Sequence, residues 1–160
     1  MRRREFVAAT LIVGAMPSLA RAQASGVTIA AGPIDPQTPL ESAFVMALTD
    51  ERMRPIFRRY LLDTNVALAM TGEGEDAAPR EVEVRPGWSG GAIFTSAARL
   101  QSVLGAEAPR VVLNGRAALE RLRGKKAVIN YRLVPMLTLD AEDVASYLAT
   151  EGSAAAGPAQ

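Results

Sequence analysis

The chemistry open to this 160-residue chain is limited first by what it lacks: it contains neither histidine nor cysteine. No Ser-His-Asp or Cys-His arrangement can be assembled from it. Zinc sites of the Cys/His kind, thiolate redox chemistry and disulfides are excluded on the same ground. Carboxylates, two lysines and neutral hydroxyl or amide groups remain. Asp140, Glu142 and Asp143 cluster where a helix should begin, and capping accounts for them. Glu73, Glu75 and Asp76 lie in a Gly-rich run that loosely resembles a calcium loop. It lacks the spacing and terminal glutamate of an EF-hand, so a solvated loop is the plainer reading. Lys125 and Lys126 follow Gly124 without the rest of a phosphate-binding loop. No catalytic residue, cofactor or metal site is therefore expected.

Neutral hydrogen-bonding groups give better candidates. In open α/β sheets, ligands lie beyond the carboxyl ends of parallel strands. Three such ends carry suitable side chains: Thr95 with Ser96, Asn114 with Gly115, and Asn130. Two of them open helices, whose free N–H groups favour an anion. Each also has a structural explanation. Thr95 caps its helix, Asn114-Gly115 makes a turn, and Asn130 ties a strand end to neighbouring backbone. Trp88 is a further candidate contact. The glycines around it, Gly87, Gly90 and Gly91, let the chain fold the ring down, so partial burial is expected.

The elements that position these groups follow from hydrophobic periodicity. Leu40–Thr49 reads as a helix with Leu40, Phe44, Ala47 and Leu48 on one face. Asp50 can cap a second helix to about Leu62, with Ile56, Phe57, Tyr60 and Leu61 inward. Pro55 places its regular start near Arg54, and Arg52, Arg54, Arg58 and Arg59 should face solvent. Asn65–Met70 reads as a buried strand and Arg80–Arg85 as a half-exposed edge strand. Pro86–Gly91 reads as a turn, Ala92–Phe94 as a short strand, and Ser96–Leu104 as a helix capped by Thr95. Arg110–Leu113 is a strand and Asn114-Gly115 turns into a helix to about Arg123. Ala127–Tyr131 is a strand, Leu133–Leu139 is extended around Pro135, and Asp140 caps a last helix. Alternation of strands and helices predicts one α/β domain. Its sheet should be mixed or partly parallel and flanked by helices, with two helices before the first strand.

The ends differ from this core. Arg2, Arg3 and Arg4 precede an apolar run from Phe6 to Leu19, and Ala20-Arg21-Ala22 offers a small-x-small cleavage site. This is the arrangement of a secretory signal peptide, with cleavage after Ala22 or Ala24. The run is about 14 residues, against roughly 20 for a membrane span. Arg3-Arg4-Glu5-Phe6 also resembles a twin-arginine export motif, and the choice between that route and the Sec route stays open. Export to the periplasm is expected, with membrane contact only through the signal before cleavage. Cleavage after Ala22 removes four arginines and one glutamate from 18 basic and 17 acidic residues, leaving 14 and 16. Without net basic charge, nucleic acid is not an expected partner. Residues 23–38 read as a flexible segment, 39–149 as the domain, and 150–160 as a disordered tail.

In this order of elements, three stretches resemble the SseB protein N-terminal domain family, the one linked to enhanced serine sensitivity. They are Arg54–Phe57 through Tyr60-Leu61-Leu62 and Val66-Ala67-Leu68; Ala92–Ser96 with Leu100; and Ile129-Asn130 followed by Leu137–Asp140 and Val144. The resemblance covers about Leu40 to Ala149. Where the family has a proline after the asparagine, this chain has Tyr131. The resemblance implies the fold and brings no catalytic residues with it. The functional expectation is a non-catalytic binding or assembly module whose protein partner or small ligand is not specified. The alternatives are a periplasmic enzyme using hydroxyl or carboxylate groups, or a protein tethered by an uncleaved signal.

Overall fold

Leu40, Ala43 and Phe44 recur at the helical period and mark α1 (Pro39–Met46), whose N-cap Thr38 accepts the N–H of Glu41. A computed structural model describes residues 32–74 and 76–149. The expected signal, its cleavage sites and the 150–160 tail lie outside the described residues. The expected flexible stretch 23–38 ends in a tethered segment. Ile34 is buried and donates its N–H to Val134 O at 2.7 Å, so the packed domain begins before Pro39.

In α2 (Met53–Asp63), Phe57, Leu61 and Leu62 are buried, and the Phe57 ring stacks on Phe44 at 4.2 Å between centroids. Two side chains expected inside, Ile56 and Tyr60, are exposed, as is Leu48 after α1. Each helical residue is rotated about 100° from the last, so only one stripe of α2 meets both α1 and the sheet. Asp50 does not cap α2. Its carboxylate accepts from the N–H and guanidinium of Arg52, in the turn before the helix. Nor does Arg58 face solvent. It reaches Ser146 O, and its guanidinium lies 4.4 Å from the centre of the Tyr147 ring.

Six strands form one mixed sheet: β1 (Asn65–Ala69), β2 (Glu81–Arg85), β3 (Trp88–Phe94), β4 (Arg110–Asn114), β5 (Ala127–Ile129) and β6 (Leu137–Leu139). The order is β4-β1-β3-β5-β6, with β2 extending the β1 side of β3. Only β3 and β5 pair in parallel. The turn expected over Pro86–Gly91 shrinks to Pro86-Gly87, because Trp88–Gly91 belong to β3. Glycine serves here within the strand: a Cβ on Gly91 would lie 2.4 Å from Leu122 Cδ2.

Alternation along the strands builds two cores. Val66, Leu68, Ile93, Ala127 and Ile129 face α1, α2, α4 (Gly115–Glu120) and α5 (Ala141–Ala149). Ala67, Ala69, Ala92, Phe94 and Val128 face α3 (Ala97–Leu104), together with Trp88, Val82 and Tyr131. Thr95 does not cap α3. Ser96 does, accepting the N–H of Arg99 at 3.3 Å. Asp140, ahead of α5, donates its N–H to Asp143 Oδ2 at 3.1 Å.

Candidate functional site

The strands β3, β4 and β5 run in one direction, so their C-terminal ends share one edge of the sheet. The candidate side chains Thr95, Asn114 and Asn130 stand along that edge. Two of them meet. Thr95 donates its N–H to Asn130 Oδ1 at 3.0 Å, and both residues are buried. Asn130 holds a left-handed backbone, φ 57°, and donates its own N–H to Ile93 O. Its Nδ2 is buried and donates to no protein group among the described residues. Asn114 stays apart, because β1 lies between β4 and β3. Its carboxamide caps α4 by accepting from Arg116 N at 3.0 Å.

Gly115 serves packing. Its N–H donates to Thr64 O, and a Cβ there would fall 1.7 Å from the Leu61 carbonyl oxygen. Trp88 is buried at 8 % exposure, with its Nε1 donating to Asp140 Oδ1 at 3.2 Å and the Lys126 ammonium over its ring.

Thr95 leads to a pair of residues that sequence reasoning did not single out. Its hydroxyl donates to Glu41 Oε1 at 2.8 Å. The same carboxylate receives Arg99 Nε at 3.0 Å, Arg99 Nη2 at 2.9 Å and the N–H of Gln37 at 2.8 Å. Glu41 is 0 % exposed and Arg99 is 21 % exposed. Arg99 also donates to Asp35 O, so the fork ties the segment before α1 to α3 around the end of the sheet. Burial alone would raise the Glu41 pKa. The hydrogen bonds from Arg99, Gln37 N–H and Thr95 outweigh it and hold the carboxyl below its ordinary value. Four donors occupy the roughly four lone-pair directions of a carboxylate, so Glu41 has no acceptor site left for a substrate and is a weak base. One local signal pointed to it: Thr38-x-x-Glu41 has capping-box spacing. Its partner Arg99 is 58 residues away and leaves no local trace.

Apolar side chains line two open surfaces beside α1 and α2. A shallow groove of about 570 Å³ runs over Thr38, Ala43, Met46, Met53, Ile56 and Tyr60. A deeper cleft of about 370 Å³ is lined by Phe44, Leu48, Arg54, Phe57, Met136 and Tyr147. Burial pushes the Tyr147 phenol up, partly offset by Arg58. No three carboxylates converge on a metal-sized site among the described residues, and no helix among them is long and apolar enough to cross a membrane.

The sequence model of the SseB protein N-terminal domain matches residues 34–146, beginning at the buried Ile34 and ending inside α5. No curated protein and no solved structure matches the chain.

Proposed function

We propose that this chain, which belongs to the SseB protein N-terminal domain family, is a non-catalytic binding or assembly module that is exported to the periplasm. The observation that carries the binding role is the apolar surface of α1 and α2. Met46, Ile56 and Tyr60 on the two helices, and Leu48 just after α1, are each at least 40 % exposed and line the two clefts. Large apolar groups gathered in this way mark interaction surfaces more often than scattered single ones do. The saturated coordination of Glu41 supports the non-catalytic part, since the most buried ionised group spends its acceptor capacity on holding α1 to α3. The n-region, apolar run and small-residue site of residues 1–22 support export.

The test of binding is recovery of the chain with its associated proteins from the periplasmic fraction, wild type beside Ile56→Asp and Tyr60→Asp. These exposed substitutions should leave folding intact and strip the associated set. An unchanged set on folded variants would defeat the reading. Export is tested by intact mass: protein lacking residues 1–22 or 1–24 is expected, and retention of Met1 in envelope protein would refute cleavage.

A further inference from the structure

On the opposite sheet face, where α3 is the sole covering helix among the described residues, an open cavity of about 390 Å³ is bounded by Arg80, Val82, Leu104, Tyr131 and Arg132. We propose that this cavity is an oxyanion-binding site, in which Arg80 and Arg132 clamp a carboxylate or phosphate group of a small ligand. Most other arginines near carboxylates are committed. Arg52, Arg54, Arg59, Arg99 and Arg123 each pair with an acid. Arg80 and Arg132 form no ion pair among the described residues, yet they line the same cavity.

Arg132 is the more telling of the two. It is half-buried, and its Nε is fully buried with no hydrogen-bond partner. The terminal amino groups of Arg132 form no hydrogen bond or ion pair among the described residues either, so the head of the guanidinium is free to meet an oxyanion in the cavity. Arg132 also holds φ 62°, a left-handed conformation that a long side chain rarely adopts. Such backbone persists where surrounding contacts over-determine it, and it concentrates at ligand sites. Two contacts do so here. The Tyr131 hydroxyl donates to Glu83 O at 3.2 Å, and the Arg132 guanidinium lies 5.1 Å from the Tyr131 ring centre.

The two acids at the cavity rim, Glu81 and Glu83, do not cancel this charge. Alternation along β2 puts Arg80 and Val82 on the α3 side and directs Glu81 and Glu83 to the other. Their carboxylates are also engaged: Glu81 approaches Lys125 at 3.9 Å, and Glu83 accepts the N–H of Gly87 at 3.1 Å. The rest of the wall is Val82, Leu104 and the Tyr131 ring, so the site suits an oxyanion on a short apolar body.

The site lies across the sheet from the α1–α2 surface and does not depend on it. The test is titration calorimetry of the purified chain at low ionic strength, with inorganic phosphate in one arm and succinate in the other. Saturable binding is expected in at least one arm, and the tighter arm names the ligand class. Arg80→Gln and Arg132→Gln should each weaken it about tenfold or more, the loss of one charge-assisted contact. Arg59→Gln, on α2 across the sheet, should leave it unchanged. Arg80 is exposed just ahead of β2, so Arg80→Gln remains informative if Arg132→Gln does not fold. Failure of both probes to saturate would overturn the proposal, as would wild-type binding by a folded Arg80→Gln.

Discussion

The two faces of this sheet are covered very differently. Four helices pack on one face and bury a mainly aliphatic core around Leu40, Leu61, Leu119 and Val144, with the stacked Phe44 and Phe57 among them. The other face has α3 alone and compensates with bulk: Phe94, Trp88 and Tyr131 fill ground that helices occupy opposite. The crowded face tolerates no added atom, as Gly91 against Leu122 and Gly115 against Leu61 show. The sparse face leaves room for a cavity with unpaired cations. Buried polar groups belong to neither core proper. Glu41, Thr95 and Asn130 sit at the sheet end, where α1 from one face is tied to α3 from the other. A close-packed interior has no space for solvated polar groups, so the polar side chains gather where packing is thin.

The largest expected effect comes from cutting that tie. Glu41→Ala leaves the Arg99 fork, the Thr95 hydroxyl and the Gln37 N–H without their acceptor. Removing one partner of a buried pair costs about 3 kcal/mol or more, and Arg99's partial exposure places this case at the lower end. Urea unfolding should show the loss as a lowered midpoint. A drop under about 1 kcal/mol would mean that the two faces are held together by apolar contacts alone.

The same tie sets an acid limb. The Glu41 carboxyl is held below its ordinary value of 4.5 in the fold, so its stabilisation is complete above that value. It is lost as the pH falls through the depressed pKa. Glu41→Gln should flatten the pH dependence of stability below about 4.5 and leave its shape near neutrality unchanged.

Next in size is Gly115→Ala, which probes the crowded face directly. The new Cβ meets the Leu61 carbonyl, a backbone atom that cannot rotate away, so α2 and α4 must separate. Overpacking of this kind costs about 1–3 kcal/mol and occasionally more. Thermal unfolding reads it, and an unchanged Tm would show that α2 and α4 can part at this contact without cost.

How much of this was legible in the chain follows from which contacts are local. The helix and strand order, the edge strand with its outward Glu81 and Glu83, and the bond from Asp140 N–H to the Asp143 carboxylate all rest on neighbours in sequence. The parts that could not be read rest on distant ones. Glycines at 90 and 91 look like a turn until the Lys126-Ala127 backbone comes against the first and Leu122 against the second. Ile56 and Tyr60 fit a buried stripe by period, but whether a helix buries one stripe or two depends on what packs against it. Of the candidate groups at the sheet edge, Thr95 and Asn130 converge as their strand neighbours β3 and β5 require. Asn114 is separated by the insertion of β1, a topological choice that no local pattern encodes. Glu41 was not singled out because its cation lies on another helix.

The smallest expected effect separates capping from cross-linking within two adjacent residues. Ser96 closes the first turn of α3 by accepting the N–H of Arg99. Ser96→Ala removes one side-chain acceptor from a helix end and should cost about 1 kcal/mol. Thr95→Ala leaves the cap intact but removes a buried donor to Glu41, and the two changes act on different links. Combined with Glu41→Ala, Ser96→Ala should therefore add its full cost, whereas Thr95→Ala should add much less than it does alone, since its acceptor is already gone. Unfolding free energies of the three single and two double variants decide the matter. If the Ser96 cost shrinks in the Glu41→Ala background as the Thr95 cost does, the start of α3 and the tie between the faces form a single cooperative unit. The sparse face would then owe its one helix to the crowded face.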